Sequence, residues 1–80
     1  SKKMNLPTKE FQLLFLLCTH PRQIFTRESI IEKIWGFDYE GDDRTVDVHI
    51  KRLRQRLSKL KSSVSIQTVR GQGYRVDQNV

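Results

Sequence analysis

The sequence contains few of the residues that build disulfide, metal or membrane sites. Its 80 residues include one cysteine, Cys18, and two histidines, His20 and His49. A single cysteine forms no internal disulfide, and these three residues lack zinc-ligand spacing, which favours a reducing interior. No apolar run approaches the roughly 20 residues that cross a bilayer, and the start lacks a secretory signal. We therefore expect a cytoplasmic domain with no membrane contact, no bound metal and no cofactor.

The chain is also too short for more than one hydrophobic core. With 36% hydrophobic and 30% charged residues, it has enough apolar side chains to fold. The only two prolines, Pro7 and Pro21, separate periodic segments, and the sequence has no repeat or linker. These features predict a single domain over residues 1–80, with its core at about residues 4–76.

Positive charge is concentrated in one segment of this basic chain. The net charge is +6, and residues 44–61 contain seven basic side chains and one acid, Asp47. The remainder of the chain has eight residues of each sign and is neutral overall. A domain this basic usually binds a polyanion, so the fold of residues 44–61 decides the function.

Two helices are predicted before this basic segment. In the first, about residues 8–19, Phe11, Leu14, Phe15 and Cys18 repeat at helical spacing, which predicts a core face containing an inert thiol. Leu13, Leu16 and Leu17 widen that stripe, so this helix is expected to be covered from more than one side. The second begins after the predicted N-cap Thr26 and ends at Trp35 and Gly36, because glycine readily adopts the left-handed conformation of a helix end. Its predicted core residues are Ile30, Ile31 and Ile34. The acidic segment that follows, residues 36–43, predicts an exposed loop.

A third and longest helix is predicted from the N-cap Asp43 to about Lys61. Within about 80° of arc, one side of it carries Val46, Ile50, Leu53, Leu57 and Leu60. The opposite side carries Val48, Arg52, Gln55 and Lys59. One face is therefore expected to pack against the core, while the other forms a basic strip in solvent.

The last part of the chain alternates between apolar and polar residues, as strands do. This pattern covers residues 64–69 and 74–76, and Gly71 and Gly73 lie in the connection. Three helices and a C-terminal hairpin predict a mainly α fold with some β structure, namely a winged helix-turn-helix. In this fold the third helix fits the DNA major groove.

The groove chemistry assigns roles to residues of the third helix. Arg52, at the middle of the outward arc, suits a bidentate contact with guanine, and Val48 suits the methyl group of thymine. The side chains that flank this outward arc suit contacts with phosphates. They are Arg44, His49, Lys51 and Arg56. No set of acid, base and nucleophile emerges, so we predict that the protein is not an enzyme.

Two long motifs resemble one known family. Residues 43–54 (DRTVDVHIKRLR) and 67–75 (QTVRGQGYR) are similar to the C-terminal effector domain of OmpR/PhoB-type bacterial response regulators. The resemblance implies a transcription factor of a two-component system that binds direct DNA repeats as a tandem dimer. It also implies an N-terminal receiver domain in the full-length protein.

The resemblance further implies individual residue roles. Val48 and Arg52, with Arg54 nearby, fall at base-contacting positions, and Arg70 of the wing, residues 66–76, falls in the minor groove. The implied backbone contacts are Trp35, Arg44, His49, Lys51, Tyr74 and, in the wing, Thr68. The loop implied to contact RNA polymerase comprises Gly36, Phe37, Asp38, Tyr39, Glu40, Gly41, Asp42 and Asp43.

The chain departs from the family pattern at its start. The family domain opens with a four-stranded sheet, whereas this chain is expected to hold only its final strand, about residues 3–6, so the N-terminal sheet is largely missing. Apolar surface around Leu13, Leu16 and Leu17 would then lack part of its cover, which predicts lowered stability or self-association.

Two other functions remain compatible with the basic helix. It could bind structured RNA, although A-form RNA closes its major groove to a helix. It could instead dock on an acidic protein partner. Competition between duplexes of defined and random sequence separates both alternatives from sequence-specific DNA binding.

Overall fold

Three helical segments and one hairpin make up the fold. The computed structural model describes residues 8–61 and 63–78. The helices are α1 (Thr8–Cys18), α2 (Arg27–Ile30, continued by a π-helical turn, Ile31–Trp35) and α3 (Arg44–Lys59), and the strands are β1 (Val64–Val69) and β2 (Gly73–Gln78). The predicted winged helix-turn-helix is thus confirmed. The strand predicted at about residues 3–6 lies outside the described residues.

Only part of the predicted apolar stripe of α1 is buried. Leu13 and Leu17 are fully buried, whereas Phe11 and Phe15 are 55% and 61% exposed. Cys18 is exposed as well, so the prediction of a core thiol is wrong. Apolar residues occur on two sides of this helix, and periodicity alone does not show which side meets α3. Among the described residues of α1, the large apolar side chains left exposed are accordingly Phe11 and Phe15, not Leu13 and Leu17.

The second helix begins and ends as the sequence predicts. The Thr26 hydroxyl accepts a hydrogen bond of 3.0 Å from the Ser29 N–H, which satisfies a free donor of the first turn. At the other end, Gly36 has φ of +97°. Its N–H donates to the Ile31 carbonyl, five residues back, in π-helical geometry.

Both ends of α3 lie inside the predicted limits. Asp42, rather than the predicted Asp43, supplies the first capping bond, since its Oδ1 accepts from the Arg44 N–H at 2.9 Å. The helix ends at Lys59, and Lys61 has φ of +52°. Leu60 is therefore 65% exposed and not a core residue, because it follows the last helical turn.

The hairpin is joined to the helices by its second strand. Strands β1 and β2 are antiparallel, with register from Val64 opposite Gln78 to Val69 opposite Gly73. Tyr74 also exchanges two backbone hydrogen bonds with Phe25, of 2.8 and 2.9 Å. This bridge brings the wing against the turn between α1 and α2.

A single core lies among α1, α2, α3 and the inner face of the hairpin. Its buried members are Leu13, Leu17, Phe25, Ile30, Ile34, Val46, Ile50, Leu53, Ile66, Tyr74 and Val76. Burial of α3 on this side leaves its opposite side in solvent. Across the residues that the structure describes, no helix has the length and apolar character needed to span a membrane.

Candidate nucleic-acid interface

The outer face of α3 is an exposed strip with a mixed polar and apolar surface. Val48 is 44% exposed, and the Arg52 side chain is 57% exposed. Gln55 and Lys59 are exposed on the same side, while Val46 and Ile50 point into the core. A major groove admits one helix, so this strip has a suitable shape and chemistry for base edges and phosphates.

Two cations on the flank of α3 are open to solvent. Lys51 is exposed, and the Arg44 side chain is 82% exposed, with its Nε 3.6 Å from Asp42 Oδ2. An ion pair this exposed contributes little to stability, so a phosphate can readily displace it.

Trp35 and His49 form an aromatic cluster beside the opposite flank of α3 from Arg44 and Lys51. Their rings meet edge to face with centroids 5.0 Å apart, and His49 Nδ1 lies 2.7 Å from the Thr45 carbonyl oxygen. Lys9 donates to the Ile34 carbonyl at 2.7 Å, and its Nζ lies 5.8 Å from the Trp35 ring centre. These contacts fix both rings at the junction of α2 and α3, half-buried, with part of each in solvent.

Arg56, predicted to contact phosphate, is paired with a buried carboxylate. Its Nε donates to Glu10 Oε1 at 2.9 Å, and its side chain remains 43% exposed. Glu10 was missed as a site residue because its place in the first turn of α1 already suits the helix dipole. Only the packing of α1 on α3 reveals its partner, 46 residues away.

Arg54, predicted to contact a base edge, contacts the wing in this structure. Its Nε donates to the Ile66 carbonyl at 3.1 Å and its Nη2 to the Thr68 hydroxyl at 2.6 Å. The same guanidinium carbon lies 5.9 Å from the Tyr74 ring centre. Arg54 therefore ties α3 to the hairpin.

Tyr74 belongs to a second network of polar side chains. Its hydroxyl donates to Asp47 Oδ1 at 2.5 Å, and it is only 8% exposed. Arg27 binds the same carboxylate through Nε at 3.1 Å and Nη2 at 2.9 Å. Burial, and then the bond to Asp47, raise the pKa of Tyr74 above its usual value. A phenol has a single proton, so the Tyr74 hydroxyl uses its only donor in a hydrogen bond within the protein.

The tip of the wing is open. Arg70 is exposed at the turn, where Gly71 has φ of +75° and the Gln72 N–H donates to the Val69 carbonyl at 2.9 Å. Thr68 is exposed on β1. The wing thus carries one cation at its end and a hydroxyl at its side.

The acidic loop is exposed beside the aromatic cluster. Phe37 is 85% exposed, and Asp38 and Glu40 are exposed around it. Tyr39 anchors the loop, since its ring centre lies 6.0 Å from that of Trp35. The backbone N–H of Arg44 holds the pKa of Asp42 below its usual value, which keeps this carboxylate charged.

Comparison with known proteins gives one consistent result. A family model described as "Transcriptional regulatory protein, C terminal" matches residues 1–76. The chain is 89% identical over 80 residues to the heme response regulator HssR of Staphylococcus epidermidis. That match covers all of this chain and 36% of the relative, so the chain spans about a third of the relative's length.

Solved structures of similar domains share the fold. The DNA-binding domain of Bacillus subtilis CssR has a TM-score of 0.80 and 42% identity, covering 90% of this chain and 77% of that one. The Klebsiella pneumoniae RstA DNA-binding domain, in complex with the RstA box, has a TM-score of 0.73 and 37% identity. The match covers 96% of this chain and 77% of that domain.

Proposed function

Because the chain belongs to the OmpR/PhoB-type C-terminal domains of transcriptional regulatory proteins, which bind DNA and are not enzymes, we propose that α3 enters the DNA major groove. The observation that carries this proposal is the exposed strip of α3. It contains Val48 and Arg52 within the segment that holds the whole net charge. The wing then lies beside the neighbouring backbone and minor groove.

Within this arrangement, base readout is assigned to two places. Arg52 and Val48 contact base edges in the major groove, and Arg70 of the wing enters the minor groove. Arg54 is assigned to holding the wing, because two of its nitrogens already donate to Ile66 and Thr68.

Phosphate contacts position the domain and supply most of the general affinity through counterion release. We assign this role to the exposed or half-exposed groups around the strip, namely Trp35, Arg44, His49, Lys51 and Thr68. The Arg56 side chain stays 43% exposed beside its bond to Glu10, and it is assigned a second role at phosphate. Tyr74 is assigned to support alone, since Asp47 holds its hydroxyl.

The exposed loop, residues 36–43, is proposed to contact RNA polymerase. Its acids and the protruding Phe37 suit a basic partner surface with an apolar recess. Replacing Asp38 and Glu40 by their amides should weaken binding to purified bacterial RNA polymerase and leave DNA affinity nearly unchanged. Equal polymerase binding by both proteins would refute the assignment.

The full-length context follows from the relatives. We propose a cytoplasmic response regulator in which a receiver domain precedes this chain and two copies bind direct repeats in tandem. The name of the staphylococcal relatives further suggests that the signal is heme.

Selection of bound sites from a random duplex pool tests the central proposal. We expect a defined sequence to be enriched and to appear as a direct repeat. The selected duplex should then bind much more tightly than a scrambled duplex or an RNA duplex of the same sequence. A preference for RNA would favour the structured-RNA alternative, and weak binding without sequence preference would favour an acidic protein partner.

A further inference from the structure

A buried carboxylate, Glu10 of α1, lies beneath the α3 residues that we assign to DNA. Its side chain is 1% exposed. Carboxylates are rarely buried this fully without a paired cation, because removing the charge from water is costly. Arg56 supplies one partner through the 2.9 Å bond to Oε1.

The second carboxylate oxygen of Glu10, Oε2, indicates a further role for this residue. Oε2 is buried and has no hydrogen-bond partner in residues 8–61 and 63–78. The Nη1 atom of Arg52 lies 3.9 Å from it, which is within ion-pair range and too long for a hydrogen bond. Arg52 is thus attracted to Glu10 without being locked to it, and its side chain is 57% exposed.

The spacing on α3 explains how one carboxylate serves two arginines. Arg52 and Arg56 are four residues apart, so they are neighbours on one side of the helix and repel each other. Arg56 holds Oε1 at 2.9 Å, and Oε2 lies on the side of Arg52, 3.9 Å from its Nη1. A free arginine would lose much rotamer entropy on binding a base, and a restrained one loses less.

We propose that Glu10 is a positioning residue for base recognition, restraining the Arg52 guanidinium before DNA binds and thereby raising its discrimination between base pairs. This inference rests on the proposed function, in which Arg52 contacts a base edge. The negative charge of Glu10 also opposes phosphate, so it limits binding to random DNA.

The test is Glu10→Gln, which keeps the size of the side chain and an oxygen for Arg56 but removes the charge. We expect the preference for the selected duplex over one altered at the Arg52 base pair to fall about three- to tenfold, in line with couplings between contacting residues. Affinity for random duplex should not fall. Glu32→Gln, which removes an exposed acid of the π-helical turn, is the control and should leave the preference unchanged.

A double-mutant cycle identifies the residue through which Glu10 acts. In an Arg52→Ala background, Glu10→Gln should cause no further loss of preference. An equal loss with and without Arg52, or no loss in either background, overturns the positioning role. If Arg52→Ala itself keeps the full preference, the proposed function fails instead, so the two failures are distinguishable.

A measurement on the unmodified protein covers the case in which Glu10→Gln does not fold. Nitrogen-15 relaxation of the arginine Nε–H groups in free protein should give a higher order parameter for Arg52 than for Arg70, which lies exposed at the wing tip. Equal order for the two side chains would overturn the inference.

Discussion

At the scale of single side chains, Lys51 and Arg52 are adjacent, both exposed, and assigned opposite roles. We predict that Arg52→Ala costs roughly 1–3 kcal/mol of binding free energy on the selected duplex and weakens the preference at one base pair. Lys51→Ala should weaken binding to all duplexes alike and reduce the slope of log affinity against log salt by about one. Fluorescence anisotropy at several salt concentrations measures both quantities. Identical behaviour of the two variants on selected and random DNA would contradict the assignment.

Tyr74 allows a second prediction at this scale. Tyr74→Phe should lower the free energy of unfolding by about 1–3 kcal/mol, because it removes a hydrogen bond to a charged, half-buried acceptor, Asp47. Urea unfolding followed by circular dichroism measures the loss. Tyr39→Phe is the matched control, since its hydroxyl donates at 3.3 Å from an exposed loop and should cost less than about 0.5 kcal/mol.

Tyr74→Phe also tests how the free energy of unfolding depends on pH. The folded state raises the pKa of Tyr74, so it favours the protonated phenol. This contribution to stability is fully present below the ordinary tyrosine pKa of about 10, and it is lost as the pH rises through the raised value. The stability gap between the native protein and Tyr74→Phe should therefore narrow above about pH 10. A constant gap from pH 7 to pH 11 would show that Tyr74 does not titrate in this way.

Sequence periodicity predicted which side chains of α3 face solvent but not which polar groups bind each other. Val48 and Arg52 follow from the 100° step of a helix. The partners Glu10 and Asp47 do not, because Glu10 meets Arg56 across 46 residues and Asp47 meets Tyr74 across 27. Such contacts depend on how the elements pack, and an isolated acid in a sequence gives no sign of it.

At the scale of elements, Gly73 sets the position of the wing. A Cβ at this residue would lie 2.0 Å from the Phe25 carbonyl oxygen, so Gly73→Ala must break or shift the bridge between Phe25 and Tyr74. We expect a loss of about 2 kcal/mol or more in unfolding free energy, from strain and lost hydrogen bonds. Gly71→Ala is the control, because its Cβ meets nothing within 4 Å and only its positive φ carries a cost, about 1–2 kcal/mol. Urea unfolding distinguishes the two, and an equal loss would contradict the steric argument.

The helices show why the sequence predicted that each helix forms but not which side of a helix packs against the core. Thr26 and Gly36 mark the ends of the α2 region through chemistry that is local to the chain. In α1, apolar residues follow helical spacing on two sides, and the side that holds Leu13 and Leu17 is the buried one. The ion pair between Glu10 and Arg56 matches that orientation, because Glu10 shares the buried side. No local rule distinguishes the two sides.

At the scale of the whole molecule, the basic, acidic and exposed aromatic residues of these elements form different surfaces. The basic strip of α3 and the acidic loop, residues 36–43, are distinct surfaces, and a third surface is formed by Phe11 and Phe15 on α1. The rings of these two residues are stacked with centroids 6.4 Å apart. Adjacent exposed aromatic rings favour association more than scattered ones do. This pair, and not Leu13 or Leu17, is therefore the expected site of self-association in the 80-residue chain.

The last prediction tests that surface. Sedimentation velocity of the chain without DNA should show a weight-average coefficient that rises with concentration, and replacing Phe11 and Phe15 by glutamine should remove the rise. The unfolding free energy should change little, since both rings are more than half exposed. Phe37→Gln is the control, because this ring is 85% exposed but lies in the acidic loop and not on α1. If Phe37→Gln removes the association and the double variant keeps it, the loop and not α1 is the contact surface.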